Sequence, residues 1–181
     1  MNWKEQLLKF EQNKNWKSAF DLLQTIISKE SSNLDAYLSM NYLLMNVLVE
    51  ENYDADEGEF YASMLKKYFV ESYEIFSQVP EYLFFIGKIA CMSEWYVDLK
   101  IEEAQNLIRR AHHLDPKNFL YEWAAYSDLN MGDSINVEGV TDYSKKALRD
   151  TAVLEQLRTK GSLGKYLENA LTYWASGGVP Q

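Results

Sequence analysis

Three prolines and eight glycines in 181 residues are too few for a sheet protein, which needs a turn every few residues, so long helices are favoured. The single cysteine, Cys91, excludes an intramolecular disulfide. Its apolar surroundings fit a buried thiol in a reducing compartment, and the cytoplasm is the expected location. Long hydrophobic runs are missing too: the most apolar stretch, Tyr82 to Met92, carries Lys88 and is about half the length needed to span a bilayer. The start, Met1-Asn2-Trp3-Lys4-Glu5, turns amphipathic at once and lacks the basic opening and apolar run of a secretory signal. Basic residues are outnumbered 18 to 27, for a formal charge of -9, so direct nucleic-acid binding is not expected. An acidic surface suits a basic protein partner, because opposite potentials speed encounter; it also serves plain solubility.

What is present is apolar material, 47 % of the chain, enough for one continuous core. It is arranged in repeats. Between Ile101 and Asn118, Ala104, Ile108 and Ala111 fall on one helical stripe, Glu102 and Glu103 stand at the helix start, and Leu114-Asp115-Pro116 closes the segment. Alanines allow two helices to approach closely, and the proline stops the second before the next begins. This segment resembles the second helix of a tetratricopeptide repeat.

The first thirty residues show the same rhythm. Trp3, Leu7 and Phe10 stripe one helix and Ala19, Leu23 and Ile26 a second, with a break at Asn13-Lys14-Asn15 and cap candidates at Ser31-Ser32-Asn33. The closing proline is missing there. A third helix, Leu34 to Val49, is apolar around much of its circumference and should be deeply packed. Glu50 to Glu59, with six carboxylates in ten residues, is expected to be a solvated loop. Further helices are predicted at Phe60 to Ser77, Glu81 to Val97 with Gly87 at a small-residue position, Phe119 to Met131 stopped by Gly132-Asp133, and Val140 to Leu148. Thr151 to Trp174 reads as a capping pair with Leu154, Leu157, Leu163, Tyr166, Leu167, Ala170, Leu171 and Trp174 inward. The resemblance thus implies an all-α, tetratricopeptide-like α-α superhelix, a solenoid of about four degenerate pairs with a C-terminal capping pair. One domain over 1–175 and a flexible tail at 176–181 are expected.

Catalytic and metal constellations are sparse. His112 and His113 are adjacent and point about 100° apart on a helix, so they cannot chelate one ion as an i, i+4 pair would; exposed helix-end residues are the better reading. Gly161-Ser162-Leu163-Gly164-Lys165 lacks the glycine spacing, the following Ser or Thr and the preceding strand of a phosphate loop; Gly161 is expected to end one helix and Ser162 to cap the next. Asn52 to Gly58 resembles a calcium loop, but its glycine sits one place late and Ser63 stands where the closing glutamate belongs. No cofactor and no metal are expected, and the chain reads as a non-enzyme.

Binding is what the resemblance implies, since stacked helix pairs leave a concave face lined by the first helix of each pair. The family's clamp for acidic chaperone tails does not transfer: Lys4 stands at the first position, but Leu8, Ser39, Glu81 and Phe85 cannot replace the Asn, Lys and Arg that hold a carboxylate. A small acidic helical chain is also similar, as a class, to the helical immunity proteins that bacteria encode beside secreted toxins, those of contact-dependent growth inhibition included. Many such toxins are basic nucleases, which an acidic inhibitor can approach and cover. The expected partner-binding residues are Glu50, Glu51, Asp54, Asp56, Glu57 and Glu59. Tyr121, Trp123 and Tyr126 join them, because these cannot all face inward beside Leu120, Ala124 and Leu129 if one helix buries one stripe. The alternative is an adaptor that holds a peptide in its concave groove. No membrane partner is expected.

Overall fold

A computed structural model describes residues 2–127 and 134–178. Asparagine and aspartate set where the helices start. Asn2, Asn15 and Asn33 each accept a hydrogen bond from a backbone N–H of the turn that follows, opening α1 (Trp3–Gln12), α2 (Trp16–Lys29) and α3 (Leu34–Glu50). Asp54 opens α4 (Ala55–Phe76) and Asp150 opens α9 (Thr151–Thr159) in the same way. Pro80 fills the first position of α5 (Pro80–Ala90), where a missing N–H loses nothing. The others are α6 (Ile101–Leu114), α7 (Phe119–Ser127), α8 (Ser134–Ala147) and α10 (Gly161–Ala175), with a short 3-10 turn at Glu94–Tyr96. The described residues hold no strand, and the chain is all-α.

Each helix packs on the next from α1 to α8, except that α4 and α5 touch only lightly and α3 and α5 pack directly. Helices α5 and α6 approach closely where the spacing of small residues pointed to it. Ala104, Ile108 and Ala111 of α6 are fully buried, and a Cβ on Gly87 of α5 would stand 2.7 Å from Ile108 Cγ1. Helix α3 is deeply packed, with ten buried residues that include Asn41, whose amide donates to the Tyr37 carbonyl at 2.9 Å. Buried apolar side chains from Leu7 to Leu171 form one cluster. None of the described helices is long and apolar enough to cross a membrane.

Several boundaries differ from expectation. The acidic run at 50–59 is mostly helical: Glu50 ends α3, and α4 begins at Ala55 because Asp54 and Glu57 form a reciprocal capping box. Carboxylates in that first turn also complement the partial positive charge of the helix start. Helix α5 stops at Ala90 instead of running to Val97, where the Ser93 hydroxyl takes the Ile89 carbonyl at 2.9 Å and Asp98 adopts a φ of 55°. Helix α8 starts at Ser134 rather than Val140. Met131 and the expected stop at Gly132-Asp133 lie outside the described residues. Ile27, not Ile26, is the buried residue at the end of the α2 stripe, and Tyr166 is exposed rather than inward. Of the expected tail, Ser176 to Gly178 form a hydrogen-bonded turn on α10, and 179–181 lie outside the described residues.

Candidate functional site

The junction between α9 and α10 is where distant parts of the chain meet. It reverses direction with no intervening loop, which Gly161 permits by taking a φ of +57°. Helices α9 and α10 then close tightly, since a Cβ on Gly164 would overlap the backbone carbonyl of Leu157. Lys160, not Ser162, is the residue that precedes α10, and it makes no side-chain cap. Ser162 instead donates its hydroxyl to Glu11 of α1 at 2.7 Å.

Through this junction the segment 156–162 touches α1, α3, α5 and α7. Lys4 of α1 donates to the Thr159 carbonyl at 2.8 Å and pairs with Asp35 of α3. Lys160 pairs with Asp35 and, at 2.7 Å, with Glu81 of α5. Its ammonium stands 5.5 Å from the ring centroid of Phe85, and its side chain is 4 % exposed. Gln156 donates to the Tyr121 hydroxyl of α7 at 3.0 Å and accepts from Asn118 at 3.3 Å. A hollow of about 200 Å³ remains beside the junction, lined by Lys4, Leu8, Ser39, Tyr42 and residues 158–163. Of the five positions compared with the chaperone-tail clamp, Lys4, Glu81 and Phe85 therefore meet the junction of α9 and α10, and Leu8 and Ser39 line the hollow beside it.

The charges here are matched. Burial alone would raise the Asp35 carboxyl, but the ammonium groups of Lys160 and Lys4 outweigh it and hold the group below its usual range. Glu11 has only the Ser162 hydroxyl to oppose desolvation, and burial leaves its carboxyl raised.

The expected partner-binding residues fall into three places. Glu51 pairs with Lys14 at 2.8 Å at the end of α3, next to Glu50, and Asp54 and Glu57 cap α4. Asp56 and Glu59 are exposed on the first turns of α4. Tyr121 and Trp123 are core residues, 2 % and 3 % exposed, and offer no surface to a partner. The one-stripe rule fails on α7 because α6, α8 and Gln156 of α9 cover it from several sides. Tyr126 is half-buried and stacks on Tyr143 with ring centroids 5.3 Å apart. His112, expected to be exposed, is half-buried, with Nε2 3.3 Å from the Glu122 carboxylate; His113 is exposed. Among the described residues no three His, Cys, Asp or Glu side chains are grouped to hold a metal ion.

Larger hollows open on the surface: one of about 510 Å³ lies beside the same junction, lined by Leu8, Tyr42, Lys165 and Tyr166, and two more are set by other helices. One, of about 770 Å³, lies between α5, α7 and α9, with Glu81, Asp115, Asp150 and Glu155 in its wall. The other, of about 510 Å³, lies between α2 and α4 and combines Phe20, Phe60, Tyr61 and Met64 with Asp21, Asp56 and Glu57. The sequence pointed to Asp56 and Glu57 as contact residues but not to Asp21 or Phe60, whose meeting depends on the packing of α2 beside α4. No family model, no curated protein and no solved structure matches the chain.

Proposed function

We propose that this chain is a non-enzymatic protein-binding module of tetratricopeptide-like helix pairs whose partner docks on an outer acidic face, not in the groove. In that reading α1, α3, α5 and α7 are the first helices of successive pairs and line the inner face. The observation that carries it is Lys160, which sits between Asp35 and Glu81 and takes up the inner-face charges that a peptide ligand would need. Hydrogen bonds from Lys4, Ser162 and Gln156 hold the same junction in place. A peptide anchored on Asp35 and Glu81 would have to displace Lys160, which weighs against the adaptor.

The net charge of -9 then favours a basic protein as the partner. The most concrete form is an immunity-type inhibitor that covers a basic nuclease toxin in the cytoplasm. Co-expression with a basic, toxin-like reading frame beside its own gene tests this. Survival of the host, lost on charge reversal at Asp56 and Glu59, supports the reading. Reversal at Asp54 and Glu57 is the wrong test, because those two hold the start of α4. Survival unchanged by outer-face reversal but abolished by substitutions around Leu8 and Ser39 returns the groove to the partner.

A further inference from the structure

The hollow between α2 and α4 has an apolar floor and an acidic rim. Phe20 and Met64 are buried beneath it and Tyr61 is half-buried, with ring centroids of Phe20 and Tyr61 5.4 Å apart. Phe60 packs against Tyr61 at 5.7 Å yet remains 57 % exposed, an aromatic face turned outward on a helix that buries Met64, Leu65 and Tyr68. Asp21, Asp56 and Glu57 line the opening beside a single cation, Lys17. Among the described residues neither Asp21 nor Asp56 has an ion-pair partner, whereas Asp35 is paired twice.

The chain itself shows what such a set of groups holds. At the junction of α9 and α10, two carboxylates and one aromatic ring enclose the ammonium of Lys160. The α2/α4 hollow presents Asp21 and Asp56, neither of them ion-paired among the described residues, beside the exposed ring of Phe60, with Lys17 as its one lining cation. We propose that it receives an arginine or lysine side chain from a basic segment of the partner protein. The aliphatic stem lies on Phe60 and Tyr61, and the charged head reaches Asp21 and Asp56. Cation-π attraction and an apolar surface for the stem let this hollow select a basic side chain, which an acidic surface alone does not do. The inference rests on the reading above for the class of partner and adds the place and the chemistry of its anchor.

Titration of the full chain with a blocked arginine-alanine repeat peptide, followed by nuclear magnetic resonance at low salt, tests it. The ring signals of Phe60 and Tyr61 move on binding. Asp21→Asn with Asp56→Asn weakens the peptide at least about tenfold, and Phe60→Ser alone by roughly fivefold. Asp115→Asn with Glu155→Gln removes the same charge from the hollow between α5, α7 and α9 and leaves affinity within about twofold. Equal weakening by the two double variants means diffuse attraction and overturns the socket, as does peptide binding that leaves the two rings unmoved. Circular dichroism melts confirm that each variant is folded. Because the peptide is read without the partner, failure here removes the socket and leaves the co-expression result to decide protein binding.

Discussion

The hydroxyl of Ser162 donates to the carboxylate of Glu11 at 2.7 Å, so α10 is tied to α1 by a single neutral donor on a half-buried acid. Burial raises the Glu11 carboxyl above its ordinary 4.5, and the hydrogen bond offsets only part of that. A raised acid disfavours folding while it is charged: the penalty is full above its folded pKa and vanishes as pH falls below 4.5. Glu11→Gln should therefore raise the thermal midpoint at pH 8 and leave it unchanged at pH 4. Ser162→Ala should lower stability at pH 8 by about 1 kcal/mol. An equal gain from Glu11→Gln at both pH values would show that ionisation is not the cause.

Lys160→Met leaves Asp35 and Glu81 facing each other with Lys4 as the remaining cation. Removing one member of a buried ion cluster destabilises by about 3 kcal/mol, measurable as a fall in the urea midpoint. Adding Glu81→Gln should restore part of that loss, because a charge without a partner is removed with it. The Asp35 carboxyl is held low in the folded chain, so its contribution is present above the ordinary 3.8 and is lost as pH falls through the folded value. Acid unfolding should accordingly begin at a higher pH in Lys160→Met than in the native chain.

Two glycines test helix proximity. At Gly87 an added methyl meets Cγ1 of Ile108 and lies 3.2 Å from the Ala104 carbonyl oxygen and Leu107 Cβ, and Gly87→Ala should cost about 2 kcal/mol, less in an Ile108→Ala background, where that γ carbon is gone. At Gly164 the obstacle is the Leu157 backbone, which no side-chain change relieves. Gly164→Ala should lose at least about 3 kcal/mol, read from chemical denaturation, with no rescue by trimming Leu157.

At the alkaline end, burial pushes Tyr121 up to about 12 even though Gln156 donates to its oxygen. Stability from this phenol is intact below its ordinary 10.0 and is lost as pH rises toward 12. Tyr121→Phe gives up the Gln156 hydrogen bond, about 1 kcal/mol near neutrality, but removes the alkaline penalty. The stability curves of native and variant chains should cross between pH 10 and 12; parallel curves would place the effect elsewhere.

Local signals in the sequence were legible because they depend on neighbours in the chain. The stripe of Ala104, Ile108 and Ala111, the cap at Asn33 and the all-round apolarity of α3 all reappear in the fold. The start of α4 was legible too, as Asp54 and Glu57 at capping-box spacing, but the density of carboxylates pointed to a solvated loop instead. Helix α5 was overextended because Cys91, Met92, Trp95, Tyr96 and Val97 carry apolar character past the point where Ser93 bonds to the Ile89 carbonyl.

The junction at Lys160 was not legible. Its partners Asp35 and Glu81 are remote in sequence, and Glu81 and Phe85 had counted only as departures from a carboxylate clamp. Read the other way, an acid at Glu81, where the clamp carries an amide or a cation, calls for a cation, and that was the available clue. The aromatic pair Tyr121 and Trp123 went astray for a related reason, because how many sides of α7 are covered is decided by helices on either side of it.

A ribosome making this chain delivers Asp35 and Glu81 long before it adds Lys160, the cation that the two share. Until codon 160 is translated, Asp35 has Lys4 as its partner, but Glu81 still waits for the ammonium that pairs with it. A chain truncated ahead of Lys160 lacks the cation that both acids share, and it should be digested faster by a protease than the full chain.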